Sequence, residues 1–160
     1  MKVSITTNKR AAFADVMFHK VKIRVFVREE PHHAKDPSTG EQTTTRALAK
    51  KLSVGFVTAQ GLDVPARPFM KQFRAQNKDE IIKVLKLAKA KGFQGWKAKQ
   101  QYQWAAEQIR DQLVDFLITG KVEPENTSYT LRHKVGSAPL VDTTQLLHAI
   151  DAEVSDVTTK

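Results

Sequence analysis

The sequence predicts an α+β fold in which a small antiparallel sheet, formed by terminal strands, packs against two long amphipathic helices. Two observations carry this. Apolar residues recur at helical spacing over about 68–91 and again over about 96–119. Strands are expected at both ends of the chain, at 2–7 and at 150–155, with the termini paired, and apolar residues alternate with polar ones at 150–155 and again at 20–28. At 160 residues the chain has the size of a single domain that buries a core without metal or disulfide support. It contains no cysteine, which excludes a disulfide framework, a thiolate zinc site and a cysteine nucleophile.

In chain order, residues 2–7 read as a short strand, and Asn8 precedes a brief helix carrying Ala11, Ala12, Phe13, Val16 and Met17. Val21, Ile23, Val25 and Val27 then mark one face of a half-buried strand whose other face begins with Lys20, Lys22 and Arg24. From Glu29 to Thr44 the chain is Pro, Gly, Asp, Ser, Thr and His with almost nothing apolar, and the expectation is a long projecting loop. Ala47, Leu48 and Leu52 return to helical spacing, followed by Gly55-Phe56-Val57 and a turn through Gln60-Gly61.

The first long helix is expected from Pro68 to Lys91. Phe69, Met70, Phe73, Ile81, Val84, Leu87 and Ala88 share its apolar face, Pro68 is tolerated in the first turn, and Gly92 is placed to end it. Arg67, Lys71, Arg74, Lys78 and Lys89 line another side. The second, from Trp96 to Thr119, buries Tyr102, Ala105, Ala106, Ile109, Leu113, Phe116 and Leu117 and stops at Gly120. Glu107, Asp111 and Asp115 stack at four-residue steps away from that face. A short helix or turn at 130–133 follows. Asp142 or Thr143 is then placed to cap a helix holding Leu146 and Leu147, and a last strand carries Ile150, Ala152 and Val154.

Charge is unevenly placed. The net charge is +9, with 19 Lys and Arg against 8 Asp and Glu in residues 1–92 but 7 against 9 in residues 93–160. Such an excess is either an ordinary solvated surface or a field, felt over roughly 8–10 Å at physiological salt, that draws a polyanion or an acidic protein. The first residues lack the apolar core of a signal peptide, and nowhere do eighteen apolar residues run together. A soluble protein with no membrane contact is expected.

Three segments in order carry a resemblance. They are Pro65-Ala66-Arg67-Pro68-Phe69-Met70 at a helix entry; Pro124 to Asn126 with Thr130 and Lys134; and Pro139-Leu140-Val141-Asp142-Thr143 with Leu146-Leu147. Over roughly residues 45–157 the chain resembles the Mu-type virion morphogenesis and tail-completion proteins of tailed phages. Members often place Asn directly after the second segment's proline, where Glu125 intervenes here, and Gly after the Asp-Thr pair, where this chain has Thr144.

The resemblance implies a virion structural protein, assembled in the bacterial cytoplasm and without catalytic activity or cofactor. It implies a homo-oligomeric ring, commonly hexameric, that completes the head-proximal end of the tail and joins it to the head connector. Its partners would be tail-terminator or tail-tube proteins and head-connector proteins, with genomic DNA passing through the lumen.

The residues themselves give physical reasons for the motifs. Two prolines around Arg67 hold the chain extended and then set the first helical dihedral, which delivers the Phe69 ring to a fixed place. Pro139 and Leu140 anchor the loop before the last short helix. These are architectural roles first and partner contacts second.

The basic row Arg67, Lys71, Arg74, Lys78 has two uses. It lines a DNA lumen, or it faces an acidic row on a neighbouring copy such as Glu107, Asp111 and Asp115, which is the arrangement that closes a ring from unlike surfaces. Trp104, beside the acidic row, is either an interface aromatic or a contact for the 120–128 loop. The alternative function is a monomeric basic DNA-binding module. A metal site at His32 and His33 with Glu29, Glu30 and Asp36 is weaker still, since the spacing is not helical and zinc catalysis needs three preorganised ligands. No Ser or Thr sits in a nucleophile-elbow or phosphate-loop pattern.

Overall fold

A computed structural model describes residues 21–94, 97–126 and 144–156. The expected strand at 2–7, the helix at 8–17, the turn at 130–133 and the motif residues Thr130, Lys134, Pro139, Leu140, Asp142 and Thr143 lie outside the described residues. The fold is α+β. Its elements are β1 (Val21–Val27), β2 (Pro31–Lys35), β3 (Gln42–Thr44), α1 (Thr45–Val54), β4 (Phe56–Val57) and β5 (Asp63–Val64). They continue with α2 (Phe69–Gln76), α3 (Lys78–Phe93), α4 (Ala98–Ile118), α5 (Gln145–Ala149) and β6 (Ile150–Asp156).

The contacts divide the chain into two compact units. The first takes residues up to Val25, Lys78–Arg110 and the chain from Ala152 onward. In it, α3 buries Val84, Ala88 and Gly92 at four-residue steps, and the first half of α4 buries Gln101, Ala105, Ala106 and Ile109. β6 pairs with β1, so the partner of the last strand is the 21–27 segment. On that sheet Arg24 reaches Glu153 at 3.2 Å.

The second unit takes Phe26–Asn77 and Asp111–Asp151. Its core is Phe69, Phe73, Leu113, Phe116, Leu117 and Val122, with Phe73 and Phe116 tilted at 60° and ring centroids 5.7 Å apart. Two antiparallel hairpins, β2–β3 and β4–β5, belong to it. α1 is capped at its N-terminus by the Thr44 hydroxyl, which accepts from the Ala47 amide at 3.2 Å. It ends at Gly55, whose φ of 78° and close approach to Val64 and Ala66 leave no room for a side chain.

The segment at 29–44 departs from expectation: it is the β2–β3 hairpin rather than a projecting loop. Polar groups replace the missing apolar alternation as its anchors. At its turn Asp36 is buried, accepts from the Ser38 amide at 2.8 Å and hydroxyl at 2.6 Å, and pairs with Lys51 of α1. That hydrogen bond from Lys51, followed by the one from Ser38, holds the Asp36 carboxyl well below the usual carboxylate range.

The first long helix also differs from expectation, because it is broken at Asn77 into α2 and α3. Asn77 leaves helical geometry with φ −110° and ψ 19°, and both its backbone N–H and its side-chain amide donate to the Phe73 carbonyl, at 2.9 and 3.1 Å. Val84 and Ala88 of the expected face are buried, but Leu87, expected inside, is 55 % exposed, and Gly92 lies within α3 instead of ending it.

Candidate assembly surface

The extended approach to α2 brings Arg67 inward. Its backbone N–H donates to the Leu52 carbonyl at 2.8 Å, and the residue is only 6 % exposed. The guanidinium then spends its donors on the second motif segment: Nε donates to the Pro124 carbonyl at 2.8 Å, and Nη2 to the Glu125 carbonyl at 3.1 Å and the Asn126 Oδ1 at 3.5 Å. Burial pushes the Arg67 guanidinium below its ordinary value, yet a planar fork of donors suits three converging oxygens as no lysine does.

One helical turn on, Gln72 completes the junction. Its amide nitrogen donates to the Glu123 carbonyl at 2.6 Å while its amide oxygen accepts from the Glu123 N–H at 2.9 Å, as a paired strand would. Phe69 and Val122 lie buried in the same unit, 2 % and 0 % exposed. Pro65 and Pro68 are half-buried, and Pro68 occupies the N-cap position with α2 starting at Phe69. Two segments far apart in the sequence thus form one rigid joint.

The expected basic row loses Arg67 to the interior. Arg67 faces inward, Lys71 and Arg74 are exposed on α2, and Lys78 belongs to α3 beyond the break. The acidic positions all lie on α4: Asp111 and Asp115 are exposed, while Glu107 is half-buried and accepts from Gln103 at 3.1 Å. Trp104 is half-buried, and the Lys91 ammonium stands 4.5 Å from its ring centroid, a cation–π contact within the first unit.

The N-cap position of α5 falls on Thr144, whose φ is 60° and whose side chain does not cap the helix. Left-handed backbone is rare for a β-branched residue and costless for glycine. Gln145, the next residue, repeats the device of Gln72: its amide donates to the Pro31 carbonyl at 2.8 Å and accepts from the His33 N–H at 3.1 Å. It closes one side of a cleft also lined by His33, Gln42 and His148.

Among the described residues no three His, Asp or Glu side chains converge to hold a metal ion. His32 is buried, with the Ala34 N–H 3.2 Å from its Nδ1, whereas His33 is exposed. Ser38 and Lys51 are 2.6 Å apart, but an ammonium donating to Ser38 and Asp36 has no lone pair with which to accept the serine proton. Among the described residues no helix is long and apolar enough to cross a membrane.

Sequence patterns missed Gln72, Glu123 and Gln145, since an exposed-looking glutamine has no periodic signature. Val122, a single apolar residue in a polar stretch beside the motif residues Pro124 and Asn126, was a usable signal for the joint. Comparison with known families, curated proteins and solved structures finds no match for this chain.

Proposed function

We propose that this chain is a structural subunit of a tailed-phage virion, working as a homo-oligomeric ring at the head-proximal end of the tail, where it completes the tail and meets the head connector. The reading rests on the ordered motif segments, and one observation carries it furthest. Arg67 of the Pro-x-Arg-Pro-Phe segment grips the backbone of the Pro124–Asn126 segment, so residues singled out by resemblance form a single physical joint. A second observation agrees: at the position where the family has Gly, Thr144 adopts the left-handed φ of 60° that glycine takes freely.

A shape-defining role fits such a joint. The buried guanidinium, the glutamine pairing and the aromatic core fix one geometry instead of presenting reactive groups, as a subunit requires whose neighbours are set by angle and surface. The test is to purify virions from a strain carrying a labelled copy and image the particles. Label at the tail–head junction supports the reading. Particles with normal tails and no label, together with tight and steeply salt-dependent DNA binding by monomers, would favour the basic DNA-binding module instead.

A further inference from the structure

The net charge of the chain belongs to one of its two units. Residues up to Val25, Lys78–Arg110 and the chain from Ala152 onward hold 15 Lys and Arg against 6 Asp and Glu, whereas Phe26–Asn77 and Asp111–Asp151 hold 11 against 11. The whole +9 therefore lies in the first unit, and the second is formally neutral. Within the first unit Lys78, Lys86 and Lys89 are exposed on α3, and Lys97 and Lys99 are exposed at the start of α4. Lys86 stands two residues from both Val84 and Ala88, which puts it opposite their buried face. None of these lysines forms an ion pair among the described residues.

Helix electrostatics does not explain them. The dipole of α3 accounts for Asp79 and Glu80 in its first turn and Lys91 in its last. It is indifferent to Lys86 and Lys89 in between. Lys78, Lys97 and Lys99 stand at or beside helix N-terminal ends, where a cation is disfavoured, and α4 has no acidic residue in its first turn to offset the last two.

From this we infer that the lysine surface of the first unit contacts the phosphate backbone of double-stranded nucleic acid without reading its sequence. The lysines keep no single row: they run along α3 and on into the first turn of α4, so one line of carboxylates on a protein would not meet them. A duplex presents a charge about every 1.7 Å and demands no such register. Ile82 and Leu85 share the outer side of α3, and the longer lysine side chains reach beyond them. No residue described as exposed on α3 is aromatic, so the surface lacks the stacking platforms of a single-strand binder. The inference goes beyond the ring reading and does not depend on it.

Fluorescence anisotropy with a labelled, mixed-sequence DNA duplex tests this between about 50 and 200 mM salt. The wild type should bind with a slope of log K against log salt of roughly −3 to −5, about 0.9 for each phosphate contact. Lys86→Gln/Lys89→Gln and Lys97→Gln/Lys99→Gln should each make that slope shallower by roughly 2. Lys50→Gln/Lys121→Gln removes the same charge from exposed positions of the second unit and should leave the slope unchanged. Circular dichroism confirms that every protein is folded.

Equal weakening in all three variants would reduce the effect to net charge and overturn the assignment, as would a folded wild type without salt-dependent binding. Native mass is read alongside. A first-unit variant that changes its oligomeric state while keeping the wild-type slope would give the surface to a protein neighbour and overturn the inference too. The native mass of the wild type bears on the ring alone.

Discussion

Arg67 donates its Nε–H to the Pro124 carbonyl at 2.8 Å across 57 positions of chain, and this one bond joins the approach to α2 to the segment after α4. Because the residue is 6 % exposed, truncation leaves buried carbonyls without donors. Arg67→Ala should destabilise the protein by about 3 kcal/mol, and Arg67→Lys should recover less than half of that because the fork geometry is lost. Urea unfolding midpoints at constant slope measure both.

Asp36 gives an acid limb to the stability curve. Its folded-state value lies below the ordinary 3.8, so the unfolded chain takes up the proton first. Its contribution is complete above that value and lost as pH falls toward the folded one. Asp36→Asn should cost about 1–2 kcal/mol at pH 7, allowing for water screening at the one-third exposed Lys51. The cost should shrink below about pH 4. Thermal melts of both proteins across pH 2–7 show whether the two curves converge at the acid end.

Thr144→Gly should stabilise. Relief of a β-branched residue at φ 60° is worth about 1–2 kcal/mol, against roughly 0.4–1 kcal/mol of added unfolded-state freedom, for a net gain of about 0.5–1 kcal/mol. A rise in melting temperature is the readout, and a fall would mean that the threonine side chain earns its conformation through contacts of its own.

At Gly55 the opposite sign is expected. An added Cβ would stand 2.8 Å from the Ala66 nitrogen and 2.9 Å from the Val64 oxygen, on a backbone with φ of 78°. Both obstacles are main chain and cannot rotate away, so Gly55→Ala should cost about 3 kcal/mol or more. The yield of folded protein and its urea midpoint check this.

Periodicity made much of the fold legible. Of the positions read as buried on the second helix, 105, 106, 109, 113, 116 and 117 are buried and Tyr102 is half-buried, and the alternation read at 20–28 and 150–155 falls on β1 and β6, which pair with each other. The 29–44 hairpin was illegible because its anchors are an ion pair and a turn, which periodicity does not register. The helix break at Asn77 was hidden for a related reason. Apolar residues continue at near-helical spacing on both sides of it, and the first helix ends where the Asn77 side chain joins its backbone N–H in bonding the Phe73 carbonyl.

For the candidate surface, local sequence placed Arg67 beside Lys71 and Arg74 as one cationic edge. Only the fold reveals that its guanidinium turns toward Pro124 and leaves that edge. Lys78 and Lys89 read as positions on the cationic side of the first long helix, and both are exposed on α3.

The central claim is that copies of this chain assemble into a closed ring, and native mass spectrometry of the wild type at micromolar concentration tests it most directly. A ring subunit gives one dominant species at an integer multiple of 18.0 kDa, unchanged on moderate dilution. A species that stays at 18.0 kDa at every concentration, with or without virion partners, would contradict it.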